Sequence, residues 1–308
     1  MATRTRSAAS NDDQATPDTA PIVVGFDDSD EGRDALELAR VLCEVRGARC
    51  IVATVIEWGP VSVRRSISDS EESEAEPLFK QARKALSGLE VETRIVGTRS
   101  PGRILAEFAE REGASTLVVG APHHRSSAGR AVLGSVAEHL LHHSPCEVAI
   151  APRGYGDTSL THFGFDQVSV GFDGTEESKH ALRHAEDLAE AAGATIQILV
   201  VKDPLITDTE AEAEAEAHAG EPGTGEEILQ QGLASVRDSL KPQGMMVEPR
   251  VRQTVPRVAA ALAEAGAGNI LVCGSRPIRN RILLASLTKR VIEMSVHPVL
   301  VVPTTASE

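Results

Sequence analysis

The chain has 308 residues, a formal net charge of −14, and only one Trp, one Tyr and six Phe. That length holds two domains of ordinary size, the acidic balance argues against a general nucleic-acid binder, and so few aromatics leave no stacking platform for single strands. No apolar run is long enough to span a bilayer, and Cys43, Cys50, Cys146 and Cys273 form no CxxC pair, so a reduced, cytoplasmic chain without a membrane segment is expected.

Residues 1–20 lack the apolar stretch of a signal peptide and read as a disordered tail. From 21 to 153, short Val and Ile runs alternate with amphipathic stretches, the pattern of βαβ units around a buried parallel sheet. Strands are expected near Ile22 to Phe26, Cys50 to Ile56, Val91 to Val96, Thr116 to Gly120 and Glu147 to Ala151. Helices are expected over Ser29 to Arg46, Leu78 to Leu86, Pro101 to Glu112 and Ser135 to His143. Ser100-Pro101 suits a helix start, because proline at the first helical position loses no hydrogen bond.

A linker over 154–167 leads into a second copy over 168–304. IVVGFDDSDEGRDALELA from Ile22 returns in register as VSVGFDGTEESKHALRHA from Val168, GRILAEFAEREGASTLVVG returns as PRVAAALAEAGAGNILVCG, and CEVAIAP as HPVLVVP. A repeat this long makes each copy a domain rather than a solenoid turn. In the second copy a strand ending at Val201 precedes TDTEAEAEAEAHAGEPGTG, whose like charges at i,i+4 weaken an isolated helix. It reads as a solvated excursion before a helix near Glu226, with an acidic partner-binding segment as the alternative.

The stretch Val118 to Val136, VVGAPHHRSSAGRAVLGSV, has the order an anion site needs: a buried strand end, a Gly-containing polar loop, and a new helix start. Gly120 permits a sharp exit, and Gly134 with Ser135 sits where the helix N–H groups are unpaired. Arg125 and Arg130 add positive charge. Strand, Gly and helix recur in every α/β protein, so the order alone does not decide for a ligand.

Other constellations are weaker. His139 and His143, and His180 and His184, lie four apart on expected helices, but neither pair has a further ligand at metal-site spacing, so exposed or interface positions are expected. No G-x-S-x-G elbow surrounds Ser135 and no GKS or GKT of a P-loop occurs, so no catalytic residue is assigned. Slow phosphate hydrolysis, with Asp27 or Asp28 helping to hold Mg2+, is the enzymatic alternative.

The repeated V-G-F-D opening, the strand ending TVIE, the VVG loop with a late GS, and the closing CEVAIAP resemble tandem universal stress protein domains from Ile22 to Pro303. The resemblance implies an α/β fold: two doubly wound, open, five-stranded parallel-sheet domains, Rossmann-like and akin to the adenine nucleotide alpha hydrolases. It also implies that the last strands pair the two as a pseudo-twofold dimer within one chain. Many members bind ATP through Gly, two residues, Gly, nine residues, Gly and then Ser or Thr. Carried onto this sequence, Asp27 contacts ribose, Val55 and Val119 flank adenine, and Gly120, Gly134, Ser135 and Val136 hold phosphate. His123 stands where the second Gly is expected, the loop is one residue longer, and Gly129 supplies flexibility in its place.

The second copy keeps Asp173, Val201, Gly274 and Ser286, but its loop is shorter and Ala285 replaces the late Gly, which hinders close phosphate approach. Arg276, Arg279 and Arg281 remain to attract an anion. The resulting expectation is an ATP-binding stress-response sensor with its site in the first copy. Its second copy is an internal pairing partner, a homodimer is a further option, and a regulatory protein reads the bound state. The alternative is a scaffold that binds no nucleotide.

Overall fold

Ile22, Val23 and Val24 are all fully buried, as consecutive residues of a parallel strand covered on both faces must be. They belong to β1 (Ile22–Gly25), which pairs in parallel with β2 (Cys50–Glu57) on one side and β4 (Thr116–Gly120) on the other. β3 (Val91–Thr98) extends the sheet beyond β2, and β5 (Glu147–Ala151) extends it beyond β4. The computed structural model describes residues 20–57, 69–98, 100–121, 133–157, 164–201, 224–247, 259–260, 262–264, 270–275 and 284–303.

The second half repeats the arrangement with β6 (Gln167–Gly171), β7 (Thr195–Val201), β8 (Pro242–Val247), β9 (Ile270–Ser275) and β10 (Val299–Pro303). The halves join into one ten-stranded sheet of order β3-β2-β1-β4-β5-β10-β9-β6-β7-β8. Among the described residues, every strand pairing within a half is parallel, and β5 and β10 alone meet antiparallel, with Val148 opposite Val301, Ala149 opposite Leu300 and Ile150 opposite Val299. Strands that would be open edges in separate domains therefore cover one another, which removes unpaired backbone groups at the middle of the sheet.

Helices α1 (Asp30–Arg46), α2 (Asp69–Ala85), α5 (Glu176–Ala192) and α6 (Gly225–Ser235) pack on one face of this sheet, while α3 (Pro101–Glu112), α4 (Ser135–His143) and α7 (Leu284–Met294) pack on the other. The repeated helices α1 and α5 use the same local chemistry. Ser29 Oγ accepts the Gly32 N–H at 3.0 Å and Thr175 Oγ1 accepts the Ser178 N–H at 3.2 Å. Asp30, Glu31, Glu176 and Glu177 place negative charge in the first turns, where the helix dipole favours it. Gly47 and Gly193 end these helices at φ of 61° and 63°, a left-handed conformation that glycine adopts without a Cβ clash.

One expectation changes. Helix α2 begins at Asp69 rather than Leu78 and contains Pro77. Glu71, Ala75, Phe79 and Ala82 are buried at helical spacing, and this stripe extends the helix through a proline that lacks one N–H donor. At the start of the expected linker, the Gly154 and Gly156 N–H groups each donate at 2.8 Å to the carboxylate of Asp34, a buried residue of α1. Most of the expected N-terminal tail and the Ala-Glu excursion lie outside the described residues.

Candidate functional site

The strand order turns back on itself between β1 and β4, since successive strands leave β1 toward β3 and leave β4 toward β5. Ligand crevices of open α/β sheets lie at the carboxyl ends of strands flanking such a switch point. Asp27 follows β1 there and Gly120 ends β4. The first turn of α1 closes the floor: a Cβ on Gly120 would sit 2.1 Å from the Glu31 carbonyl oxygen, and a Cβ on Gly32 would sit 2.4 Å from the Asp27 carbonyl oxygen. Only glycines allow the strand ends and this helix to approach so closely.

Asp27 is exposed and held in place by its own turn. Its Oδ1 accepts from the Ser29 N–H at 3.2 Å and from the Ser29 hydroxyl, while Oδ2 has no hydrogen-bond partner among the described residues. Asp173 has the same relation to Thr175, accepting its N–H at 3.0 Å and its hydroxyl at 2.6 Å. The repeated Asp-x-Ser/Thr spacing carried this feature in the sequence: an Asx turn fixes the carboxylate while the second residue caps the helix.

Val55 and Val119 lie on the strands either side of β1 and pack on the α3 and α4 face. Val119 is buried, and a Cβ on the intervening Gly25 would lie 3.6 Å from it and 3.2 Å from Leu105. Val55 is half-buried. At the start of α4, Gly134 is the N-cap with extended backbone and no side-chain cap bond, Ser135 is exposed and Val136 is half-buried. The first-turn N–H groups therefore have no capping side chain, in contrast to those of α1 and α5. α3 begins beside α4, with the Cβ position of Gly102 only 3.2 Å from the Val136 carbonyl oxygen.

Asp27, Gly120, Val55 and Val119 are thus gathered at one end of the sheet, and the Gly134–Val136 helix start lies on the face that Val55 and Val119 share. His123 and Gly129 lie outside the described residues, as do Arg125, Arg130, Arg276, Arg279 and Arg281. A cleft of about 340 Å³ lies elsewhere, between α1, α2 and the turn after β5, bordered by Arg33, Asp34, Gln81, Arg153 and Asp157.

A buried polar cluster that sequence reasoning missed joins the halves. Glu147 Oε2 accepts from Arg46 Nη1 at 2.6 Å and from Thr116 Oγ1 at 2.8 Å, and its Oε1 lies 2.6 Å from Nδ1 of His184 on α5. Burial opposes ionisation of this carboxyl, but Arg46 and the His184 hydrogen bond outweigh it and hold the pKa down to about 2. His180 and His184 touch edge to face, their ring centroids 4.6 Å apart. His139 and His143 instead stack at 4.4 Å on α4, and burial together with neighbouring His143 lowers the pKa of His139. No group of three or more metal-ligating side chains occurs among the described residues, and no described helix is long and apolar enough to cross a membrane.

The universal stress protein family model matches this chain twice, over residues 19–152 and 164–303. Universal stress protein Rv2319c of Mycobacterium tuberculosis is 29% identical over 305 residues, an overlap of 92% of this chain and 99% of the relative. A universal stress protein of Mycolicibacterium smegmatis is 27% identical over 295 residues, covering 91% and 96%. Among solved structures, a universal stress protein from Archaeoglobus fulgidus superposes with a TM-score of 0.65 at 19% identity, covering 94% of this chain and 97% of that one. That structural likeness is one of fold.

Proposed function

Matched by one family model across both halves, the chain belongs to the universal stress protein family, and from that premise we propose that it is an ATP-binding regulatory module with its site in the first copy, residues 21–153. The observation that carries this reading is the convergence of Asp27 and Gly120 on the first turn of α1 at the switch point, Gly120 packing against Glu31 and Asp27 against Gly32, an approach that only glycine at 120 admits. Asp27 Oδ2 is available to a ribose hydroxyl, Val55 and Val119 offer apolar walls to adenine, and the uncapped α4 start at Gly134, Ser135 and Val136 suits phosphate. His123 and Gly129 complete the loop, and Mg2+ accompanies the nucleotide.

The second copy, residues 168–304, is the internal pairing partner, with Ala285 in place of Gly134. Its Asp173 turn and the close approach of Gly274 to the Glu177 carbonyl oxygen repeat the first-copy floor. Nucleotide shifts the population of the first copy toward the state it binds better, and a cytoplasmic regulatory protein reads that shift. A dissociation constant of about 1 mM corresponds to only about 4 kcal/mol, so a weak site suffices where ATP is abundant.

Calorimetric titration of magnesium ATP into the chain, beside Gly134→Asp and Ala285→Asp, tests the reading. One site lost in Gly134→Asp and retained in Ala285→Asp supports it. No heat at millimolar ATP with a folded chain ends it and leaves a scaffold acting through protein contacts.

A further inference from the structure

The antiparallel join between β5 and β10 is centred on Ala149 and Leu300, which occupy the same place in CEVAIAP and HPVLVVP. A pseudo-twofold axis passes through this pair, so residues in equivalent positions of the two copies face one another around it. Glu138 and Lys289 are such equivalents, each in the fourth place of SVAEHLLHH and SLTKRVIEM, and Lys289 Nζ meets Glu138 Oε1 at 2.7 Å. Two first halves brought together in the same geometry would set Glu138 against Glu138, and two second halves would set Lys289 against Lys289.

The buried cluster on the other face points the same way. Glu147 and Arg46 belong to the first half, and the second oxygen of Glu147 is satisfied by His184 of the second. The register of the repeat places Leu38 where His184 stands, and Pro298 where Glu147 stands. A second copy of the first half would present Leu38 to a carboxylate whose side chain is only 4% exposed here, stranding one of its oxygens without a donor.

We propose that each half carries a selective interaction surface: the β5, α1 and α4 surface of the first half accepts the β10, α5 and α7 surface of the second and rejects a copy of itself. The partly exposed Glu138–Lys289 pair adds little attraction of its own, and its discrimination comes from the repulsion in the like pairings. Glu147 is the stronger determinant because its Oε1 is satisfied only when His184 arrives. The chain accordingly closes on itself instead of assembling through this sheet edge with like halves of a second chain.

The test inserts a protease-recognition sequence between Asp157 and Gly164, cuts the folded chain, unfolds and refolds the mixture, and counts half-pairs by native mass spectrometry. The unlike pair should exceed each like pair by about tenfold or more, against about twofold for chance pairing. Lys289→Glu should reduce that excess, and Glu138→Lys with Lys289→Glu should restore it. Chance re-sorting overturns the proposal. Where the cut halves do not refold, thermal melting of the uncut chain decides: each single reversal lowers the midpoint and the double reversal recovers at least half the loss, whereas additive losses overturn it.

Discussion

Glu147 on the last strand of the first half and His184 on the first helix of the second lie 2.6 Å apart, oxygen to nitrogen. With the carboxyl held ionised it can only accept, so the His184 Nδ1 carries the proton whether the ring is neutral or charged. Because the folded pKa falls from an ordinary 4.5 to about 2, ionised Glu147 contributes stability that is complete above about pH 5 and is lost as pH falls through 2. Urea midpoints should therefore drop on acidification across that window, with Glu147 accounting for on the order of 3 kcal/mol. Glu147→Gln should cost roughly 3 kcal/mol at neutral pH and flatten the acid limb. An unchanged acid limb in that variant would assign the acid sensitivity to other groups.

Gly120→Ala tests the floor of the candidate site. Its Cβ would lie 2.1 Å from the Glu31 carbonyl oxygen and 2.9 Å from the Glu31 Cα, and backbone there cannot swing aside as a side chain can. Denaturant unfolding should show a loss of about 1 to 3 kcal/mol. Gly47→Ala is the contrast: open space surrounds the position, but φ is 61°, so the cost is conformational and about 1 kcal/mol. In calorimetry Gly120→Ala should weaken ATP binding, and Gly47→Ala should leave it unchanged. Equal binding in both variants would place the nucleotide away from β4.

The alternation of apolar runs and the internal repeat were enough to place β1, β2, β4 and β5 because these strands are largely buried on both faces, and burial writes itself directly into composition; β3, at the sheet edge with Arg94 exposed, was marked by the repeat of βαβ units around it. The Asp27 turn was legible for a related reason: its partner is two residues away and the spacing recurs at Asp173. The Glu147 cluster was not legible, since Arg46, Thr116 and Glu147 come from three separated segments of the first half and His184 joins them only when the second half docks. Asp34 escaped similarly, as a carboxylate on a helix resembles any other until the Gly154 turn folds onto it.

Asp34→Ala removes an acceptor shared by the Gly154 and Gly156 amides, both at 2.8 Å. The turn following β5 should loosen from α1 at a cost of about 1 to 3 kcal/mol, the range for leaving hydrogen-bonded groups unpaired. Hydrogen exchange should accelerate at these amides while Val23 and Val24 in β1 keep their protection. Unaltered exchange at Gly154 and Gly156 would mean that other contacts hold the turn.

Thr54 offers a substitution whose sign distinguishes packing from polarity. It is 5% exposed in β2, and its Oγ1 is the buried side-chain polar atom left without a hydrogen-bond partner among the described residues. Thr54→Val keeps the branched shape and removes the stranded hydroxyl, so it should stabilise the chain by up to about 1 kcal/mol. Thr54→Ala also removes the hydroxyl but deletes the methyl contact, and should lose about 1 kcal/mol or be neutral as the small cavity offsets the gain. Denaturant midpoints of the two variants give the comparison. A valine variant less stable than wild type would show that the hydroxyl finds a partner in solution, such as an ordered water at the carboxyl end of β2.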